Sequence, residues 1–157
     1  MSTSCAPTSG HIDARRRGKV GELLCAYKLA ACCGVDVVHV DMLGYDLVAI
    51  CPITGLVLRV ECKSAHKTVR DSPGHTPTFH FSTSTGSKVR KPINPQVVDV
   101  VALIDVAGER VWFRTVASLR GRKTIKATPA KFDKPDLEQT SWNECMRYFA
   151  DIKGGNI

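Results

Sequence analysis

An α/β (α+β) fold, a mixed sheet of about five strands flanked by helices, is predicted by three features of this 157-residue chain. Apolar, β-branched runs recur as two strand pairs, Tyr45–Lys63 and Val97–Val116, each folded back at a turn that contains glycine. A helical stripe precedes the first pair, and a second apolar helix face closes the chain. Between the pairs, residues 64–96 become polar and rich in Ser, Thr, Pro and Gly, and a polar insertion of that length in a compact domain is usually functional.

Taken in order, residues 1–12 are small and polar and read as a flexible tail, leaving one domain over 13–157. Arg15, Arg16, Arg17 and Lys19 open a helix in which Val20, Leu23, Leu24, Tyr27 and Ala31 form the main apolar stripe, with Gly34 as its C-terminal cap. Glu22 is the one acid of this helix and falls roughly opposite the stripe, beside Ala26, Leu29 and Cys33. A first strand is expected over Asp36–Val40, and Met42-Leu43-Gly44 as a turn into the Tyr45–Lys63 hairpin. Thr78–Ser82 alternates as a strand within the polar segment. After the second hairpin comes a basic stretch, Arg120 to Lys131, and then a helix near Ser141–Ile152, with Ser141 as N-cap and Glu144 completing a capping box. The core is expected over about 18–118, with the basic segment and terminal helix filling 119–152.

The composition restricts the partner. Hydrophobic residues make up 43% of the chain, enough for a real core, which excludes global disorder. Lys and Arg outnumber Asp and Glu by 22 to 15, and a net charge of +7 points to a polyanion, with nucleic acid ahead of a membrane. No run approaches the ~18 apolar residues of a membrane span. The N-terminus lacks the apolar core of a secretory signal. Seven scattered cysteines without a CxxC pair read as reduced thiols in the cytoplasm. Cys62 and His66 have a zinc-like spacing, but no second pair accompanies them, so no zinc is expected.

The second strand of the first hairpin ends in a conflict. Side chains alternate, so Val57, Arg59, Glu61 and Lys63 share one face while Leu56, Leu58, Val60 and Cys62 share the other. An acid and a lysine at the end of a core-like strand are costly to bury without a purpose. Carboxylates from both strands, Asp46 and Glu61, can converge on one divalent cation, for which magnesium is the natural choice and manganese a substitute. Lys63 beside them can orient a water or offset developing charge on a phosphate. The bland alternative is an ion pair at a sheet edge, common and worth little.

The helix with Gly21-Glu22, then Gly44-Tyr45-Asp46-Leu47, then Glu61-Cys62-Lys63-Ser64, resembles in its order the PD-(D/E)XK nuclease superfamily. It is closest there to the small homing-endonuclease and Holliday-junction-resolvase-like members. Val98-Asp99-Val100-Val101-Ala102 and Val111-Trp112-Phe113 are similar to the family's next hairpin, so the resemblance covers roughly residues 18–118. It implies a restriction-endonuclease-like core and a magnesium-dependent endodeoxyribonuclease. Asp46, Glu61 and the backbone carbonyl of Cys62 would bind metal, Lys63 would assist the nucleophilic water, and Glu22 corresponds to a helix acid near the metal. Tyr45 stands in place of the family's proline, and no clear helix follows Lys63.

The function expected is therefore hydrolysis of double-stranded DNA, site-specific and of homing type, by a homodimer or homotetramer. Candidate DNA contacts are Arg15, Arg16, Arg17, Lys19, Lys67, Arg70, Lys88, Arg90, Lys91, Arg120, Arg122, Lys123 and Lys126. The alternatives are a resolvase of branched DNA and a non-catalytic nucleic-acid-binding module. None of the histidines at 11, 39, 66, 75 and 80 has ligand spacing with another, and His66 reads as a loop residue facing solvent.

Overall fold

The computed structural model describes residues 10–40, 44–65, 67–68, 74, 76–86 and 88–154. The expected turn at Met42-Leu43, and Arg70, His66 and His75, lie outside these residues. Helix α1 spans Gly10–Cys33, so it begins five residues ahead of the basic cluster. It ends as expected at Gly34, whose φ of 66° needs no Cβ, and Val35 N donates back to Leu29 O.

Strands β1 (Asp36–His39), β2 (Leu47–Ile50) and β3 (Val57–Ala65) form an antiparallel meander. The turn between β2 and β3 closes at Gly55, φ 71°, whose N–H donates to Cys51 O. After the polar insertion, β8 (Val100–Asp105) pairs parallel to β3, and β9 (Arg110–Thr115) returns antiparallel to β8. The result is a five-stranded mixed sheet in the order β1-β2-β3-β8-β9, as the sequence pattern predicts. Arg59 fixes the parallel junction. Its amide and Nε donate to Asp99 Oδ2 at 2.7 and 3.0 Å, and Nη2 donates to Oδ1 at 3.0 Å.

One face of this sheet packs against α1 and α2 (Leu137–Gly154) through Leu29, Val60, Ile104, Phe113 and Trp142. The other face is covered over β8 by a second sheet that the sequence pattern only half shows. Thr78–Ser82 (β5) is a strand as expected. Its partners are β4 (Lys67–Thr68) and, from the basic stretch, β10 (Thr124–Ala127). The basic segment is thus in part a strand, with Ile125 and Ala127 turned inward to meet Phe79, Phe81, Leu103 and Phe132. Short strands β6 (Ser84–Thr85) and β7 (Lys91–Pro92) close a further ribbon beside it.

Two local expectations are corrected. The stripe of α1 is not its buried face: Val20, Leu23 and Tyr27 are 47, 53 and 63% exposed. The helix instead lays Gly21, Cys25 and Leu29 against the sheet, with Gly21 at the point of closest approach. A Cβ on Gly21 would collide with Ser64 Oγ. Ser141 is not an N-cap either. Helix α2 starts at Leu137, and Ser141 lies buried a turn inside it, accepting the Phe113 N–H at 3.1 Å. The first turn is held instead by Glu138, which accepts from Arg110 Nε and Val111 N.

Candidate active site

Strand β3 runs past the beginning of β2, and the candidate site occupies the gap. Asp46 precedes β2. Its amide donates to Val60 O at 3.0 Å, and its carboxylate Oδ2 accepts the Cys62 N–H at 2.7 Å. The side chain of Asp46 thus replaces the missing strand along the edge of β3. In a strand, the N–H and C=O of one residue point to the same edge, so the Cys62 carbonyl is directed to the Asp46 side as well.

Glu61 and Lys63 project from the face of β3 opposite Val60 and Cys62, as the alternation requires. Lys63 Nζ lies 2.9 Å from Glu61 Oε1, with the two side chains only 22 and 13% exposed. Burial pushes the Glu61 carboxyl above the usual range. Lys63 draws it down, while the charges of Asp46 and Glu22 push it up again. Net, the carboxyl stays raised even with the lysine in contact.

Glu22 reaches this neighbourhood from α1, one helical turn ahead of Cys25 and next to Gly21, the residue that lets the helix approach Ser64. Its carboxylate is paired to Lys19 at 3.3 Å, so one of the expected DNA-binding lysines is held beside the acids. Behind the site the Cys62 thiol is pushed well above its ordinary value, first by a hydrogen bond with Cys25 and then by burial. Cys25, Cys32, Cys33, Cys51, Cys62 and Cys145 are all free thiols.

Among the described residues no three His, Cys, Asp or Glu side chains close into a ready-made metal cage. That donor set still suits magnesium, which takes one or two carboxylates, keeps several waters and prefers oxygen. Burial is the main cause of the raised Glu61 carboxyl, and the lesser push from the Asp46 and Glu22 charges is what a divalent cation would neutralise.

The expected DNA contacts divide by location. Arg15 and Arg16 are exposed on the first turns of α1, and Arg17 is half-buried. Lys88, Arg90, Lys91, Arg120, Arg122, Lys123 and Lys126 are exposed around the second sheet, and Lys67 lies in β4. Sequence reasoning missed the Arg59–Asp99 clamp and Glu138. Asp99 within an apolar run was the available signal for the first, and nothing local marks the second. Among the described residues no helix is long and apolar enough to cross a membrane.

No family model matches the chain, and no curated protein matches it. Its fold is similar to that of a solved bacterial homing endonuclease, I-Ssp6803I, with a TM-score of 0.62 at 16% sequence identity. The alignment covers 90% of this chain and 96% of the other. The chain therefore has the α+β fold of that endonuclease.

Proposed function

We propose that the protein is a metal-dependent DNA endonuclease of the PD-(D/E)XK type that cuts both strands at specific sites. The observation that carries this reading is the Glu61 carboxyl. It is desolvated on the face of a central strand, within the field of Asp46 and Glu22, and touched by Lys63. A purely structural pair has no use for two further acids that destabilise the charge it holds. The fold shared with a homing endonuclease and the net charge of +7 support DNA as the substrate.

In this reading Asp46, Glu61 and the Cys62 carbonyl hold magnesium or manganese, and Glu22 completes the acidic set. Held there, such a cation would supply a water of lowered pKa and a counter-charge for the scissile phosphate. Lys63 orients the attacking water and offers a compact positive charge to the phosphate oxygens. The Cys62 N–H bond keeps Asp46 aimed at the edge of β3. The chain acts as a homodimer or homotetramer, since two cuts require two such sites. The exposed Val20, Leu23 and Tyr27 of α1 give a second copy apolar surface to meet.

The test is a nicking assay on supercoiled plasmid in magnesium and in EDTA, with Glu61→Ala and Lys63→Ala beside the wild type. Cutting that needs magnesium and vanishes in both variants, while DNA binding survives, is expected. Full activity in either variant, or none in the wild type, reduces Glu61–Lys63 to an ion pair in a binding module. A four-way junction is offered in parallel with linear DNA. Cleavage of the junction alone would replace the homing reading with a resolvase.

A further inference from the structure

The acidic residues of the chain are absent from two long stretches. Residues 72–98 and 110–132 contain ten lysines and arginines and no aspartate or glutamate. Far apart in sequence, these stretches are brought together by one pairing, β5 with β10. Thr124 faces Ser82, Ile125 faces Phe81, Lys126 faces His80 and Ala127 faces Phe79. The inner side is a fixed apolar floor: Phe79, Phe81, Ile125 and Ala127 are buried, and the Phe132 ring lies 4.9 Å from Phe79.

The outer side carries Thr78, His80, Ser82, Thr124 and Lys126, none of them buried and none acidic. Among the described residues β4 pairs with Thr78 and Phe79 alone, while the antiparallel β5–β10 pairing runs on to Ser82 and Thr124. Such a ribbon fits the ~12 Å width of the DNA major groove. The side chains offered are short donors and acceptors around one imidazole and one ammonium, the repertoire that reads base edges. Arg90 reaches over the rim, donating to Ser82 Oγ at 3.2 Å, and Arg122 and Lys123 lead directly into β10. Cations placed at the rim of a reading surface contact phosphates and set its register on the duplex.

We propose that the outer face of β5 and β10 is a base-reading ribbon that enters the major groove, with the cross-strand pair His80 and Lys126 reading base edges at its centre. The inference rests on the endonuclease reading for its DNA substrate, but it assigns specificity to residues on strands other than those that carry the carboxylates. Ala65 at the end of β3 and the inner residues of the ribbon belong to one buried core, so the ribbon stands on a rigid support.

The experiment uses the full chain in EDTA, so that DNA is bound without being cut. Wild type, His80→Ala and Lys126→Ala each select from a duplex library with a randomised core, and their affinity for one fixed non-specific duplex is measured against salt. The wild type is expected to enrich a motif, and each variant to lose about tenfold discrimination at one or two positions of it. In the same duplexes 5-iodouracil, whose iodine lies in the major groove, is expected to photo-crosslink to residues 78–82 or 124–126. An unchanged motif in both variants overturns the proposal and leaves the endonuclease reading standing. So does a uniform weakening by Lys126→Ala with a salt slope reduced by about one, which marks a phosphate contact. Binding without any motif in the wild type overturns the ribbon and the site-specificity of the endonuclease while leaving its chemistry, and no binding to duplex at all overturns both readings. His80 and Lys126 are exposed, so both variants are expected to melt with the wild type.

Discussion

Lys63 Nζ sits 2.9 Å from Glu61 Oε1, two residues along one strand, and this contact is what holds Glu61 close to ionisation. Lys63→Met removes the ammonium while keeping the length of the side chain. The Glu61 carboxyl then rises further, since burial, Asp46 and Glu22 all push it up and the Lys63 charge that drew it down is gone. The expected result is a rate of plasmid nicking lower by about 10²–10³, the usual cost of losing one charge stabiliser. What activity remains should have its acid limb displaced to higher pH, measured as nicking rate against pH. An acid limb that does not move would show that Glu61 does not sense Lys63.

Glu61 also sets a sign for stability. Its folded pKa lies above the unfolded value, so between the two the native state holds more protons, and stability falls as pH rises through that window. The charged carboxylate penalises the fold at neutral pH, and acid relieves it. Glu61→Gln, which keeps the shape and removes the charge, is expected to gain on the wild type at neutral pH. The gap should shrink as pH falls through the raised Glu61 pKa and settle at a constant value below the ordinary carboxylate range. Thermal melts across pH follow it directly. Added magnesium should raise the wild-type Tm at neutral pH and leave the variant's nearly unchanged.

The close approach of α1 to β3 is tested at one atom. Gly21→Ala places a Cβ against Ser64 Oγ, and overpacking of this kind costs about 1–3 kcal/mol. Since Ser64 Cβ would remain at an ordinary 3.5 Å, the double variant Gly21→Ala/Ser64→Ala should recover most of the loss. Denaturant titration of the four proteins of this cycle measures the coupling.

In α2 the two residues of the expected capping box separate. Ser141→Ala leaves the Phe113 N–H buried without its acceptor, a loss of about 1–3 kcal/mol. Glu144→Ala, at an exposed position, is expected to stay within about 0.5 kcal/mol. At this chain length the first change corresponds to about 2–4 °C in Tm for each kcal/mol, read from a thermal melt.

The central sheet was legible because burial on both faces leaves unbroken runs such as Val100–Ile104, and because the β2–β3 turn carries Gly55 where φ is positive. The Glu61–Lys63 end was legible for the opposite reason, as a charge pattern interrupting such a run. Helix α1 misled because size was taken for burial. Gly21, without a Cβ, lets the helix approach β3, and that contact turns Cys25 and Leu29 inward while Leu23 and Tyr27 face outward. Strand β10 was hidden by its charge: Thr124-Ile125-Lys126-Ala127 does alternate, but four cations in and just before it made a loop the simpler reading. Glu138 has no local mark at all. Its partners, Arg110 and Val111, lie across the chain, and only the packed fold names them.

The parallel pairing of β3 with β8 bears on synthesis. Glu61 and Lys63 leave the ribosome on a strand whose neighbour, opposite Val101 and Leu103, has yet to be made. The floor of the β5–β10 ribbon needs residues still later, up to Phe132. Until those arrive the sheet ends at β3 and the ribbon has no second strand. A nascent chain thus carries every acid of the candidate site by residue 61, before the strand that buries them and the second sheet have been made.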